Sequence, residues 1–263
     1  MRNHKTDYLI SDENAIMEIA LFSTIGNREQ QQDCAGMRLK NREGLIVVCD
    51  GMGGHKGGQI ASELATEYML RRYAEDFPRD HPRSWLLEMA AEADSQIASI
   101  CDENGIALHA GSTVVAAYIS EKSLYWLSVG DSRLYIYRDG ELVRATMDHN
   151  YLSVLNLQLE NGEIDEQSYN AQIAQGEALV SFLGVNSLPY IESNDIPFEL
   201  KSGDRLLLAT DGLYKLISDS GIQNIVSNFT NTSEAVNALE MKARRCAHNI
   251  SRDNMTVALI NVK

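Results

Sequence analysis

Apolar positions along the chain change their period often, and no apolar run is long. Residues 16–23 alternate loosely between apolar and polar, and Gly26-Asn27 breaks the run, which predicts a first strand. Leu45-Ile46-Val47-Val48-Cys49 is apolar at every position, the pattern of a short strand buried on both faces. Ile60, Ala61, Leu64, Ala65, Tyr68 and Met69 then recur at helical spacing, so a helix is expected over about 59–74. Phe77-Pro78 through Pro82 reads as a break. Ser84 reads as the cap of a second helix, with Trp85, Leu86, Met89, Ala93, Ile97 and Ile100 on its apolar face.

After a connector at 101–110, the pattern predicts a meander. Strands are expected at 112–119 and 124–129, with Glu121-Lys122 as the turn between them. Gly130-Asp131-Ser132 interrupts the meander, 134–137 resumes it, and Asp139-Gly140 is a hairpin turn before Leu142-Val143. Residues 148–176 are polar, poor in β-branched side chains and punctuated by Asn161-Gly162. With only weak helical periodicity (Leu152, Leu155, Leu159), they read as an excursion on the surface. A strand at 205–209, a helix at 233–247 and a final strand at 256–262 complete the pattern, and no tail or second module is expected after it. Antiparallel neighbours mixed with long amphipathic helices imply α+β layers rather than a βαβ rhythm.

Composition narrows the class. With 263 residues, 44% of them hydrophobic and only four prolines, the chain reads as one folded domain. No apolar run approaches the roughly 20 residues that cross a bilayer. The first seven residues lead into no apolar stretch, so neither a membrane span nor a secretory signal is expected. Cys34, Cys49, Cys101 and Cys246 are scattered without CxxC spacing, which points to reduced thiols and the cytoplasm. A net charge of -14 argues against nucleic acid as the main ligand and is compatible with bound cations.

The candidate chemistry begins at Asp50-Gly51-Met52-Gly53-Gly54-His55. Burying an unpaired carboxylate is costly, and glycines in such density forfeit packing, so a metal ion or a phosphate is expected to approach there. Asp50, Asp131 and Asp211 each follow an apolar strand, and Asp253 precedes one. If those strands lie side by side, the carboxylates meet at one rim, where cations between them would offset their repulsion. An all-oxygen set favours Mg²⁺ or Mn²⁺ over zinc. The competing reading is four ordinary turn or cap aspartates, the part Asp139-Gly140 plays. A nucleotide loop fits poorly, since GxGxxG is absent and Lys56-Gly57 is not a GK[ST] ending. Two metals about 4 Å apart would activate a water for in-line attack at phosphorus. Arg28 is a candidate clamp for phosphoryl oxygens, and Arg133 a candidate brace for the carboxylates.

Taken in order, several stretches resemble the bacterial form of the PPM/PP2C family of metal-dependent protein serine/threonine phosphatases. They are Gly26-Asn27-Arg28-Glu29-Gln30-Gln31-Gln32-Asp33, Val48-Cys49-Asp50-Gly51-Met52-Gly53-Gly54-His55, Gly111-Ser112-Thr113 and Val129-Gly130-Asp131-Ser132-Arg133. Asp148-His149, Leu183-Gly184, Ala209-Thr210-Asp211-Gly212-Leu213 and Arg252-Asp253-Asn254-Met255-Thr256 complete the series. The resemblance implies a central β-sandwich of two mainly antiparallel sheets flanked by helices in αββα layers. By it Asp50 bridges two metals, with the Gly51 carbonyl on one of them, and Asp211 and Asp253 complete the ligands of the opposite ion. Asp33 holds metal-bound water and Arg28 takes the substrate phosphate. Asp131 matches the acidic residue of a third, weaker metal that shares Asp211. Residues 148–180 correspond to the family's flap.

The sequence departs from that pattern at three places. Gln31-Gln32 stands where an asparagine and an acidic residue are usual, and Phe182 stands where many relatives carry arginine. Met52 replaces the histidine proposed as general acid in animal members, while His55 reads as a loop or helix-start histidine. The implied activity is hydrolysis of phosphoserine and phosphothreonine in proteins. The expected partner is a phosphoprotein, either a target of a bacterial serine/threonine kinase or the kinase itself, and the expected state is a monomer. Hydrolysis of small phosphomonoesters and a degenerate, non-catalytic signalling module are the alternatives.

Overall fold

In a computed structural model, residues 7–54, 56–76, 80–248 and 250–263 are described. His55 and Phe77-Pro78 fall outside them, and with them the reading of a loop or helix-start histidine and the start of the expected break. Two antiparallel sheets stack face to face. One has the strand order β1-β2-β13-β12-β8-β9. Its strands are β1 (Tyr8–Glu13), β2 (Met17–Thr24), β8 (Arg133–Arg138), β9 (Glu141–Arg144), β12 (Arg205–Ala209) and β13 (Met255–Val262). The other has the order β10-β7-β6-β4-β3, with β11 on β7 and β5 on β4. Its strands are β3 (Asp33–Lys40), β4 (Glu43–Met52), β5 (Gly111–Ser112), β6 (Val114–Ser120), β7 (Ser123–Val129), β10 (Glu192–Ser193) and β11 (Phe198–Glu199).

The all-apolar run of β4 follows from its position in the middle of this stack. Ile46 and Val48 pack between the sheets against Leu21, Leu134, Leu208 and Ile260. Leu45, Val47 and Cys49 point the other way, under helices α1 (Gly57–Glu75) and α2 (Pro82–Ala98). A strand with both faces buried has no position left for a polar side chain until its end. On the far side, Phe22, Leu207, Val257 and Leu259 carry α5 (Asp211–Tyr214), α6 (Asp219–Asn228) and α7 (Thr232–Cys246). The result is the expected αββα sandwich.

Several local expectations change. The second helix starts at Pro82 with His81 before it, so Ser84 lies inside the first turn and is not the cap. Proline suits that first position because its missing N–H has no partner to lose there. The expected meander is divided. β7 belongs to one sheet and β8 to the other, and Gly130, at φ +100°, lies in the crossing between them. Asp139 and Gly140 both take positive φ, as a tight hairpin turn requires. Strands β1 and β3 and helix α6 had no counterpart in the hydropathy pattern. β1 and β3 are edge strands with partly or wholly exposed side chains, so neither shows a clean alternation.

Residues 148–180 contain α3 (Tyr151–Glu160) and α4 (Glu166–Gln172), capped by the side chains of Asn150 and Asp165. This excursion closes on itself. Tyr151 Oη donates to Gln172 Oε1 (2.5 Å) and Tyr169 Oη to Asn156 Oδ1 (2.8 Å). Backbone bonds from Tyr151 to Ala178 and from Val180 to His149 tie its two ends together.

Candidate metal centre

Asp50 lies within β4 rather than after it, directly opposite Asp33 on β3. Its N–H donates to Thr113 Oγ1 (2.9 Å), and Thr113 N–H donates to the Asp50 carbonyl (2.8 Å). The break between β5 and β6 at Thr113 thereby holds the Asp50 backbone in place. Gly51 is required by a close approach. A Cβ there would sit 2.0 Å from the Gly58 carbonyl oxygen and 2.7 Å from that of Gln32, so the start of α1 packs against bare backbone. Gly212 meets the same constraint, with a Cβ 2.0 Å from the Asn254 carbonyl oxygen.

The other predicted carboxylates reach the same end of the sandwich from different strands. Asp211 opens α5 immediately after β12, and Asp253 precedes β13, the neighbour of β12. Asp131 sits where the chain crosses between sheets. The charges of Asp33, Asp211, Asp131 and Asp253 all bear on Asp50. Burial first, and then those charges, push its carboxyl far above the ordinary carboxylate range. No hydrogen bond to that carboxylate is found among the described residues. Asp33 is raised to about 7, chiefly by burial, although it accepts a hydrogen bond from Thr210 Oγ1 (2.9 Å). Asp131 is raised to about 6 by burial and then by Asp211.

Asp253 and Asp211 face basic side chains instead. Arg28 Nη2 lies 2.5 Å from Asp253 Oδ2, and Lys215 Nζ lies 2.8 Å from Asp211 Oδ2. Among the described residues no three His, Cys, Asp or Glu side chains close into a ready-made cage. The donors that converge are nonetheless all oxygen. Asp33 and Asp131 are buried, Asp50, Asp211 and Asp253 only in part, and all repel one another, as suits a hard divalent cation such as Mn²⁺ or Mg²⁺.

Arg133 braces a different carboxylate from those four. Its guanidinium makes two bonds to Asp148 (2.9 and 2.7 Å) and lies 3.5 Å over the ring of Tyr214. Gln32, at the departure from the family pattern, is held by both side chain and backbone, its Nε2 donating to the Gly53 carbonyl (3.3 Å). Its N–H donates to Asn254 Oδ1, and its carbonyl accepts from Gly51 N–H and Ser62 Oγ.

Sequence reasoning missed three supporting residues. Asn254 also donates to the Ile25 and Gln30 carbonyls, which pins the Arg28 loop to the start of β13. Tyr214 donates to the Asp131 carbonyl (3.0 Å). Lys215 carried the one available signal, a cation four residues after Asp211.

Comparison with known proteins supplies the context. A family model described as "Protein phosphatase 2C" matches residues 23–244. The chain is 29% identical over 241 residues to the "Serine/threonine phosphatase stp" of Listeria welshimeri, covering 89% of this chain and 90% of that protein. Its structure is similar to that of the serine/threonine phosphatase Stp1 from Staphylococcus aureus. The TM-score is 0.79 and the identity 25%, over 96% of this chain and 97% of the other. It is also similar to the catalytic domain of the serine/threonine phosphatase PstP in complex with two manganese ions. There the TM-score is 0.74 and the identity 26%, over 94% of this chain and 98% of the other.

Proposed function

This chain belongs to the protein phosphatase 2C family and is a metal-dependent protein serine/threonine phosphatase, and from that premise we propose that the Asp50 rim carries its turnover. Asp50 and the Gly51 carbonyl would hold two Mn²⁺ ions, with Asp211 and Asp253 completing the ligands of one of them. Mg²⁺ suits the same oxygens, and Asp131 with Asp211 would take a third ion. Bound divalent ions supply Lewis-acid activation of water and charge compensation at the phosphoryl oxygens.

The chain's own side chains do the positioning. Asp33, fixed by Thr210, accepts a hydrogen bond from the attacking water and aims it at phosphorus. Arg28 is exposed and tethered only at its tip, so it can leave Asp253 for two phosphoryl oxygens, where its planar fork binds in bidentate fashion. The water oxygen–phosphorus bond forms as the bond to the serine or threonine oxygen breaks. The leaving oxygen takes its proton from water, because Met52 occupies the place of a general acid.

One observation carries this reading. The Asp50 carboxylate is half-buried among four like charges with no donor among the described residues, an arrangement that bound cations would relieve. The substrate is a phosphoprotein, which we assign to the targets of a bacterial serine/threonine kinase or to the kinase itself. We take the enzyme to act as a monomer in the cytoplasm. Among the described residues no helix is long and apolar enough to cross a membrane.

The test is Mn²⁺-titrated hydrolysis of a phosphothreonine peptide by wild type and Asp211→Asn. Saturable Mn²⁺ dependence is expected, with turnover reduced about a hundredfold in the variant, the upper end of what losing even a partner that orients a metal ligand costs. Equal turnover by the two proteins would refute the assignment.

A further inference from the structure

The two carboxylates assigned to complete one ion's ligands both face basic side chains, but the two cations differ. Arg28 reaches Asp253 from an exposed loop. Lys215 stands one helical turn after Asp211, and its Nζ is shared. It lies 2.8 Å from Asp211 Oδ2 and 2.5 Å from Glu177 Oε2. Glu177 belongs to the return limb of the excursion over 148–180. The helices of that excursion bond to each other through Tyr151 to Gln172 and Tyr169 to Asn156, while its start is tied to the sandwich through Asp148 to Arg133 and Arg144 and through His149 to Gly130. One ammonium group thus joins a proposed metal ligand to the return limb of the excursion. Tyr214, the residue before it, reaches the Asp131 carbonyl, so the same short helix touches the third-ion position as well.

We propose that Lys215 is a positioning residue that couples metal loading at Asp211 to the placement of the excursion through Glu177. The inference rests on the reading of Asp211 as a metal ligand. An ammonium and a divalent cation compete for the charge of the same carboxylate, and at close range the two cations repel. Metal entry therefore weakens the Lys215–Asp211 contact and loosens the anchor that Glu177 shares with it. Linkage is reciprocal, so anything that weakens the anchor strengthens metal binding by the same factor.

The sign of the Glu177 effect separates this device from a plain field effect. A carboxylate that acted only through its charge would attract Mn²⁺, and Glu177→Gln would weaken binding. The coupling predicts tighter binding.

The experiment is calorimetric titration of Mn²⁺ into wild type, Lys215→Gln, Glu177→Gln, the double variant and Asp211→Asn. It is paired with limited proteolysis at the exposed 161–164 turn, with and without Mn²⁺. Lys215→Gln is expected to bind Mn²⁺ about fivefold to tenfold more tightly, at the low end of the usual span of coupling between sites. Glu177→Gln is expected to gain about twofold, the scale of a partly exposed ion pair. The double variant should match Lys215→Gln alone, because Glu177 acts only through the lysine. Cleavage should speed up with Mn²⁺ in wild type, and should be fast and Mn²⁺-independent in Lys215→Gln. Weaker binding by Glu177→Gln, additive effects in the double variant, or Mn²⁺-insensitive cleavage of wild type would overturn the coupling alone. Mn²⁺ binding unchanged by Asp211→Asn would overturn the ligand assignment and the coupling together.

Discussion

Two aspartates near the same end of the sandwich, Asp148 buried and Asp50 half-buried, meet opposite conditions. Asp148 receives two bonds from Arg133 and a third from Arg144 (3.1 Å), and Tyr135 and Tyr214 pack against the same Arg133 guanidinium. The Asp50 carboxylate receives no hydrogen bond among the described residues and is crowded by four other carboxylates. The first is closed by the chain's own cations, and its contribution is to hold β8 and the loop after β9 together. The second is left open, which costs stability unless cations arrive from solution. A buried charge that the fold leaves uncompensated is the better marker of function, because packing alone gives no reason to retain it.

The widest separation between the two regions is expected from Asp50→Ala. Hydrolysis of a phosphothreonine peptide should fall by about a thousandfold or more, the scale of losing a principal electrostatic group in a site. The metal-free variant should melt no lower than wild type. A lower melting temperature without metal would mean that Asp50 is compensated after all.

The pH dependence of the metal-free protein sharpens the same contrast. Asp33 is raised to about 7 and Asp131 to about 6, both above the unfolded value. Each binds its proton more tightly when folded, so their contribution to stability is full below about pH 4 and is lost as pH climbs through 6 to 7. Melting in EDTA from pH 4 to 8 should show that loss when wild type is compared with Asp33→Asn. Saturating Mn²⁺ should abolish it. A difference that grows in the opposite direction would remove burial as the cause.

Asp148→Asn addresses the closed region. Removing one member of a buried pair leaves the arginines uncompensated, so a loss of about 3 kcal/mol is expected in urea denaturation. The Mn²⁺ affinity should change little. The smallest effect is expected from Arg28→Ala, which should raise KM for the phosphopeptide about tenfold, about 1.4 kcal/mol, and leave the melting temperature nearly unchanged. A fall in kcat with KM unchanged would move Arg28 from binding substrate to acting on the transition state.

Much of the site was legible in the sequence because its pieces are local. Asp50-Gly51 follows an apolar run, Asp211-Gly212 follows another, and Asp253 precedes a third, so each carboxylate could be placed at a strand end. The supporting residues were less legible. Asn254 and Thr113 act across the fold on residues more than 60 positions away, and nothing in their neighbours announces those bonds. Lys215 stands four residues after Asp211 in the sequence, a spacing that brings the two together only because a helical turn forms there.

The sequence by itself determined where strands and helices lie through most of the chain, and which carboxylates stand at their ends. It did so because side-chain period and turn chemistry are properties of neighbours. It also determined the family, since an ordered series of short motifs survives without any knowledge of contacts. The tertiary structure decided which sheet each strand joins. The alternation within 124–137 says that each strand has a buried face but not which layer it faces, and the crossing at Gly130 divided what read as one meander. Tertiary structure also decided which buried charges are answered from within. Arg133 answers Asp148, Lys215 answers Asp211 and Glu177, and the Asp50 carboxylate has no partner among the described residues. Those assignments depend on distances between residues far apart in the chain, and no local pattern encodes them.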